Sequence, residues 1–518
     1  MFHLWLMLKR LFPLWAVALL FALPSAAFAH GGGDHEASAV AGPLSWGFLT
    51  FGALVIGAVS IILFTGNSNR KATAADFESL TGLRGYLAKM RLFSRNARLY
   101  MVHVVGMDVI YGSWMVLFNL YLLASGFDVA FIGLRILIAS ASSAIASIPA
   151  GMISDRIGRK LSFILGDGMG AAMSLIAIST GEPALLLVTA AIEGAFGALH
   201  GLAEPAFMAE NSANYERVHL FSVASGTRTA AAIIGSALAG LVPLMFAGID
   251  DAARIALYRN VAYLGIGGWF ASLIPAVMLR QTTADDTQPA ARATRYVIRD
   301  TPLLQRLFAN VRHPDRIFKL TAPEVLIALG AGFVLPLMSV FFNQSLGSPE
   351  VEIGATFAAG ETFLVVGSFL APFVATRLGK VNSVVVTRLA SIPFILLIAF
   401  SPDVGGAIGS VLTVAGLAYI ARTTLMNMSS PLRSAFGMEI LDPGERGTQV
   451  GIQQAISAAL SGGAAYLGGQ MMSVGDYQTP FFIMAVCYLA GAGLFGWFFT
   501  GREQSLTLAP QEVAVAGD

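Results

Sequence analysis

Apolar runs of about twenty residues, parted by short polar turns, recur from residue 99 to residue 499. Twelve can be marked: 99–124, 129–153, 161–180, 183–208, 220–247, 258–279, 320–345, 351–375, 383–400, 405–428, 448–472 and 480–499. Each is about as long as a helix needs to be to cross the hydrocarbon core of a bilayer. The turns are short with one exception. Residues 280–319 form a basic loop with Arg280, Arg292, Arg295, Arg299, Arg306, Arg312, Arg316 and Lys319. It divides the array into two sixes. The pattern predicts an all-α membrane protein of twelve helices in two six-helix bundles, 99–279 and 320–499, with a cytoplasmic tail 500–518.

Two further apolar runs precede the array. Residues 1–29 read as a signal peptide: Lys9 and Arg10, then an apolar core, then Ala27-Phe28-Ala29 as a cleavage site before His30. An uncleaved first helix is the alternative. Residues 30–43 form a periplasmic lead-in in which His30, Asp34 and His35 offer metal-ligand chemistry; a flexible polar segment is the simpler account. Residues 44–65 are an extra transmembrane helix. Residues 66–98 form a basic cytoplasmic linker with Arg70, Lys71, Arg84, Lys89, Arg91, Arg95 and Arg98. Its part from Gly82 to Arg98 reads either as an amphipathic helix on the inner leaflet or as a solvated linker.

Charge in the turns fixes an orientation. With a cytoplasmic start, the outer turns hold Asp128, Glu182, Asp250, Asp251, Glu350, Glu352, Asp403 and Asp476, against only Arg254 and Arg259. The inner turns hold the basic clusters 155–160 and 377–380. All turns agree with the excess of Lys and Arg expected on the inner side of a bacterial plasma membrane. The composition fits: 12% of residues are charged and 56% hydrophobic, where a soluble domain carries about 25% charged residues. A single cysteine, Cys487, excludes an intramolecular disulfide and a Cys-based metal site. There is no phosphate-binding G-x-x-x-x-G-K-[ST], no H-E-x-x-H and no nucleophile elbow. Neither ATP hydrolysis nor enzymatic catalysis is expected, nor a cofactor or a nucleic-acid partner.

The two halves share a pattern. Ala206-Phe207 leads to Glu210 and then to Glu216-Arg217; Ala435-Phe436 leads to Glu439 and then to Glu445-Arg446 at the same spacing. Arg156-Ile157-Gly158-Arg159 has a weaker partner in Arg377-Leu378-Gly379-Lys380. Two matches in corresponding turns point to a duplicated unit.

The first of these turns, Gly151 to Lys160, reads GMISDRIGRK. Gly151, Asp155, Arg156, Gly158, Arg159 and Lys160 fit the loop signature G-x-x-x-D-R-x-G-R-[KR], and over 99–500 the chain resembles the major facilitator superfamily. That resemblance implies a two-bundle secondary transporter working by alternating access. It implies that Asp155 meets the positive N-terminal end of segment eleven near Thr448, and that the loop arginines pair with Glu210 and Glu439. Glu210 with Arg217 and Glu439 with Arg446 look like the E-x6-R pattern of sugar porters. Breaking such partly desolvated pairs would open the inner gate. The departures fall elsewhere. Ala190 stands where drug antiporters carry an arginine in helix four, and Gly235, Gly240 and Pro243 give only a loose helix-five antiporter motif. Gln453-Gln454 lies in segment eleven rather than seven.

Ionisable residues inside the spans are candidates for transport chemistry, because each is costly unless paired or hydrated. They are Asp108, Glu193 and Arg228 in the first half and Glu361 and Arg422 in the second. A carboxylate there can couple protons to transport, and an arginine can receive an anionic group. The resulting expectation is a proton-coupled carrier of a small solute, leaning to export of an organic compound. One alternative is metal transport, with His30, His35 and His103 as candidate ligands and Met107 one turn beyond His103. Another is a transport-dead sensor or scaffold in the bilayer.

Overall fold

The computed structural model describes residue 85 and residues 88–244, 251–280, 311–408 and 410–501. The expected leader, lead-in and extra helix, with most of the 66–98 linker and the 280–319 loop, lie outside the described residues.

The described chain is helical throughout. Twelve long helices follow in order: α1 (Arg95–Ala124), α2 (Val129–Ile157), α3 (Arg159–Ser179), α4 (Pro183–Glu210), α5 (Asn214–Leu244), α6 (Asp251–Val277), α7 (Pro314–Val334), α8 (Glu350–Leu378), α9 (Lys380–Ala399), α10 (Val411–Ile440), α11 (Pro443–Ser473) and α12 (Gln478–Phe499). Several outrun the apolar stretches that predict them. α1 begins at Arg95, α5 at Asn214 and α7 at Pro314, because the helical hydrogen-bond ladder continues past the apolar core into polar residues. The tenth apolar run is corrected more sharply. Ser401–Ile408 is a separate short helix, and Ser410 starts α10 by accepting the Thr413 N–H at 3.1 Å. Asp128 caps α2 in the same way, accepting from Phe131 N at 2.8 Å.

α7 is interrupted. Beyond Val334 the chain tightens over Leu335–Leu337 and widens over Phe341–Ser345. Pro336 is the physical cause at the first place, since it has no N–H and its ring displaces the preceding turn.

Nine helices among the described residues are long and apolar enough to cross a membrane by length and composition. α5, α8 and α11 carry Arg228, Glu361 and Gln453-Gln454 in mid-course. α5 lies against α8 and α11 against α2, across the two halves of the array, so these faces meet protein rather than lipid.

Those cross-half seams are closed at one end only. Call the end with the α2–α3 and α8–α9 turns the basic end and the opposite end the acidic end. At the acidic end, a Cβ on Gly469 would lie 2.6 Å from the Val129 carbonyl oxygen, and one on Gly133 2.7 Å from that of Ala465. A Cβ on Gly354 would meet the Ser236 carbonyl at 2.7 Å. Asn119 of α1 donates to the Pro336 carbonyl at 2.8 Å, and Tyr258 of α6 donates to Glu350 of α8. One apolar cluster there joins Phe118, Ile132, Phe333, Phe341, Met472 and Phe481 from both halves. At the basic end the core divides in two: Tyr100, Phe163 and Phe207 in the first half, Phe436, Phe495 and Phe499 in the second. The register that sets Gly133 against Gly469 brings Gly151 level with Gly451, and a Cβ on either would meet nothing within 4 Å.

Candidate functional site

The turns at the basic end carry the sequence motif. Gly158 and Gly379 end α2 and α8 with φ of 85° and 79°, a left-handed region in which glycine avoids the Cβ clash. Each turn delivers one cation to one carboxylate of its own half. Arg159 Nε donates to Glu210 Oε1 at 3.1 Å, and Lys380, its counterpart, donates to Glu439. Asp155 accepts from Arg159 Nη2 at 2.6 Å, and its side chain is 58% exposed. Arg156 is exposed and Lys160 half-buried. Among the described residues Asp155 makes no ion pair or hydrogen bond to the start of α11. Among the described residues, Arg217 and Arg446 form no ion pair with Glu210 and Glu439. They donate to the Ala209 and Leu441 carbonyls at 3.2 Å each, tying off the ends of α4 and α10.

Two further glutamates of the repeat behave differently. Burial works to raise the Glu445 carboxyl, but the N–H groups of His313, Arg312 and Asp442 outweigh it and hold the group below its ordinary range. Glu216, in the same place of the first half, has the Ala213 N–H at 2.9 Å. Burial wins there and pushes its carboxyl up.

Among the described residues, three ion-pair groups built on arginine lie within the spans. In the first, Arg228 of α5 bridges Asp108 of α1 at 3.1 Å and Glu204 of α4 at 2.6 Å. In the second, Glu193 of α4 accepts from Arg135 of α2 at 2.7 Å and from Ser174 of α3 at 3.2 Å; the guanidinium sits 4.4 Å from the centre of the Phe118 ring. In the third, Glu324 of α7 meets Arg388 of α9 at 2.6 Å and Arg433 of α10 at 3.3 Å. Arg422 donates to the Tyr488 hydroxyl within the second half. Glu361 is half-buried on α8. It makes no hydrogen bond or ion pair among the described residues, and the charges of Asp108 and Glu361 act on each other across the two halves. Tyr111, one turn from Asp108, is 56% exposed and also feels both carboxylates.

Below the Arg228 bridge lies a buried triad. Asp167 Oδ2 is 2.8 Å from His103 Nε2 and 2.9 Å from His200 Nδ1. His103 Nδ1 lies 2.8 Å from the Ser272 carbonyl of α6. Met101 packs in the adjoining apolar cluster. His30 and His35 lie outside the described residues.

Asp108, Arg228, Glu193, Glu361 and Arg422 stand out in the sequence as charges within apolar runs. Arg135, His200, Glu204, Arg388 and Arg433 are the functional candidates that such a reading passes over. The repeat is the signal that finds them. Asp167 stands as far beyond Gly158 as Arg388 beyond Gly379, and His103 as far before Gly158 as Glu324 before Gly379. Glu193, His200 and Glu204 precede Phe207 as Arg422, Ser429 and Arg433 precede Phe436. Asp167, Glu193 and Glu204 of the first half thus correspond in position to Arg388, Arg422 and Arg433 of the second.

A sequence profile described as Major Facilitator Superfamily matches residues 99–466. No curated protein sequence matches the chain. Among solved structures, the nucleoside transporter NupG is 16% identical, with 78% of this chain and 99% of that chain covered at a TM-score of 0.60. The D-xylose-proton symporter is 15% identical, with 80% and 99% covered and a TM-score of 0.59. A bacterial homolog to the human lysosomal transporter Spinster, inward-facing and occupied, is 14% identical, with 80% and 98% covered and a TM-score of 0.59.

Proposed function

The chain belongs to the major facilitator superfamily, a family of multi-pass secondary transporters, and on that footing we propose a proton-coupled carrier of a small polar organic solute. Its twelve helices serve as twelve spans in two six-helix bundles, 99–279 and 320–499. The basic end faces the cytoplasm of a bacterial cell, by the excess of Lys and Arg in its turns. The state described above is then inward-facing, with the acidic end sealed and Asp155 released from α11. Gly151, Asp155, Arg156, Gly158, Arg159 and Lys160, with Glu210 and Glu439, act as the inner gate.

The observation that carries the coupling is Glu361. A half-buried carboxylate at mid-helix with no hydrogen bond or ion pair among the described residues is costly to keep charged in a bilayer. Taking up a proton relieves that cost. Releasing it to the opposite side links the proton gradient to the change of access. Asp108 is held by Arg228, so a cargo group that pairs with Arg228 would free it to titrate.

The test is flux in proteoliposomes under an imposed pH gradient, screened with labelled nucleosides, pentoses and organic acids. The gradient is expected to drive at least one of these, and Glu361→Gln to uncouple that flux from the gradient. Flux indifferent to the gradient in the wild type and in both Glu361→Gln and Asp108→Asn overturns the proton-coupled reading.

A further inference from the structure

The buried triad has a hydrogen count that ordinary neutral histidines cannot meet. His103 is fully buried, and both its ring nitrogens face acceptors: the Ser272 carbonyl at 2.8 Å and Asp167 Oδ2 at 2.8 Å. A carbonyl oxygen only accepts, and so does an ionised carboxylate. A neutral imidazole has one N–H, so one contact would set a lone pair against an oxygen. Both contacts become hydrogen bonds when His103 carries two N–H groups, as an imidazolium. His200 presents Nδ1 to the same Asp167 oxygen at 2.9 Å, and its Nε2 lies 3.9 Å from Glu204 and 3.4 Å from the Tyr100 hydroxyl.

Charge balance leads to the same place. Asp167, Glu204 and Asp108 form one chain of contacts with Arg228. Three carboxylates meet one guanidinium, so the chain is short of positive charge, and buried charge is tolerated only when compensated. Imidazolium at His103 and at His200 closes the difference.

The second half shows the same site with permanent charges. Glu324 takes the place of His103, Arg388 that of Asp167, Ser429 that of His200 and Arg433 that of Glu204. The contacts are kept as well. Glu324 meets Arg388 at 2.6 Å as His103 meets Asp167, and Arg388 Nε donates to Ser429 Oγ at 3.3 Å where His200 meets Asp167. That cluster sets one carboxylate against two guanidinium groups, so its positive charge does not depend on a histidine proton. The first half reverses its polarity and places the positive charge on histidines, the side chains that exchange protons near neutral pH.

We propose that His103, Asp167 and His200 form a proton-binding site inside the first half, distinct from the Asp108–Glu361 pair between the halves. A proton on His103 Nε2 is donated to Asp167 Oδ2; its loss leaves the Nε2 lone pair facing that oxygen, and α1, α3, α4 and α6 lose the tie between them. The route outward runs from His200 to Glu204 and so to Arg228 and Asp108. The groups facing the triad are Tyr100 and Asp108 from α1, Glu204 from α4, Arg228 from α5 and the Ser272 carbonyl from α6. The proposal rests on the proton-coupled reading for its place in the cycle.

The test needs neither cargo nor transport, so it fails or stands separately from that reading. Nitrogen-15 spectra of histidine-labelled full-length protein in detergent, at neutral pH, are expected to show two imidazolium side chains slow to exchange with water. His103→Gln assigns one of them, and Asp167→Asn returns His200 to the neutral form. A neutral His103 in the wild type overturns the proposal, and that reading needs no variant to fold. So does a metal ion that binds the wild type one-to-one when zinc is added and is lost in His103→Gln. A second arm exchanges the pair for its twin, His103→Glu with Asp167→Arg. That variant carries a charged pair needing no histidine proton, so its thermal midpoint at neutral pH is expected to lie well above that of His103→Gln. An exchange variant no more stable than His103→Gln overturns the site.

Discussion

Arg388 Nη2 lies 2.6 Å from Glu324 Oε1, with the arginine side chain 1% exposed. The pair is not isolated, because Arg433 Nε reaches the other carboxylate oxygen at 3.3 Å. The two ways of breaking it are therefore unequal. Arg388→Leu leaves Glu324 with a second cation. Glu324→Gln leaves two guanidinium groups facing each other without a counter-charge. Removing one partner of a buried pair costs about 3–5 kcal/mol. Glu324→Gln should show that full loss and Arg388→Leu clearly less. Thermal unfolding in detergent reads the order, and equal losses would mean that Arg433 does not share the carboxylate.

The fold was legible in the apolar runs, because a membrane helix must satisfy its own backbone and announces itself by length. The tight turns after α2 and α8 were legible because glycine is forced at Gly158 and Gly379. Helix ends were not, since the ladder at Arg95, Asn214 and Pro314 runs on into residues that hydropathy reads as loop. The triad was hidden for another reason. His103, Asp167 and His200 come from three helices, and singly each looks like a stray polar residue. Glu204 and Arg433 lie near the helix ends, where charge is unremarkable. Only their matched distances from Gly158, Phe207, Gly379 and Phe436 show that Asp167 and Glu204 correspond to Arg388 and Arg433, and His103 to Glu324, in the other half.

The tight turns give a direct stability test. Gly158 has φ of 85°, and nothing but glycine adopts it without strain. Gly158→Ala should lower stability by about 1–2 kcal/mol and weaken the Arg159–Glu210 contact. Gly151→Ala, in open space on the same helix, should not lower stability. Chemical denaturation of the two variants side by side measures the difference.

Glu445 ties the start of α7 to the start of α11. Its carboxylate accepts from the backbone of Arg312 and from His313 N at 2.6 Å. Its folded carboxyl lies below the ordinary value, so the unfolded chain binds its proton more readily. The contribution is present at neutral pH and is lost as pH falls through the carboxylate range. Glu445→Gln should cost about 2 kcal/mol at neutral pH and little near pH 3. A deficit that persists undiminished in acid would show that the charge is not what holds the two helix starts.

The seam between α2 and α11 permits a test of the gate itself. At the acidic end Gly469 lies too close to Val129 for a side chain, a Cβ there meeting the carbonyl oxygen at 2.6 Å. Gly469→Leu must part the helices at that end. The halves then rock toward contact at the basic end, where Gly151 stands level with Gly451 and neither is covered. Spin labels at Gly151→Cys and Gly451→Cys, with Cys487→Ser as background, should report a shorter distance in Gly469→Leu than in its absence. Closure also needs an attraction at the basic end. Asp155 is the group placed to supply it, since its exposed carboxylate can reach the positive N-terminal end of α11 once the helices approach. Adding Asp155→Asn to Gly469→Leu should therefore return part of the population to the long distance. If Gly469→Leu leaves the distance unchanged, the acidic-end seam does not control access. If it shortens the distance and Asp155→Asn has no effect, the seam controls access and Asp155 is not the latch.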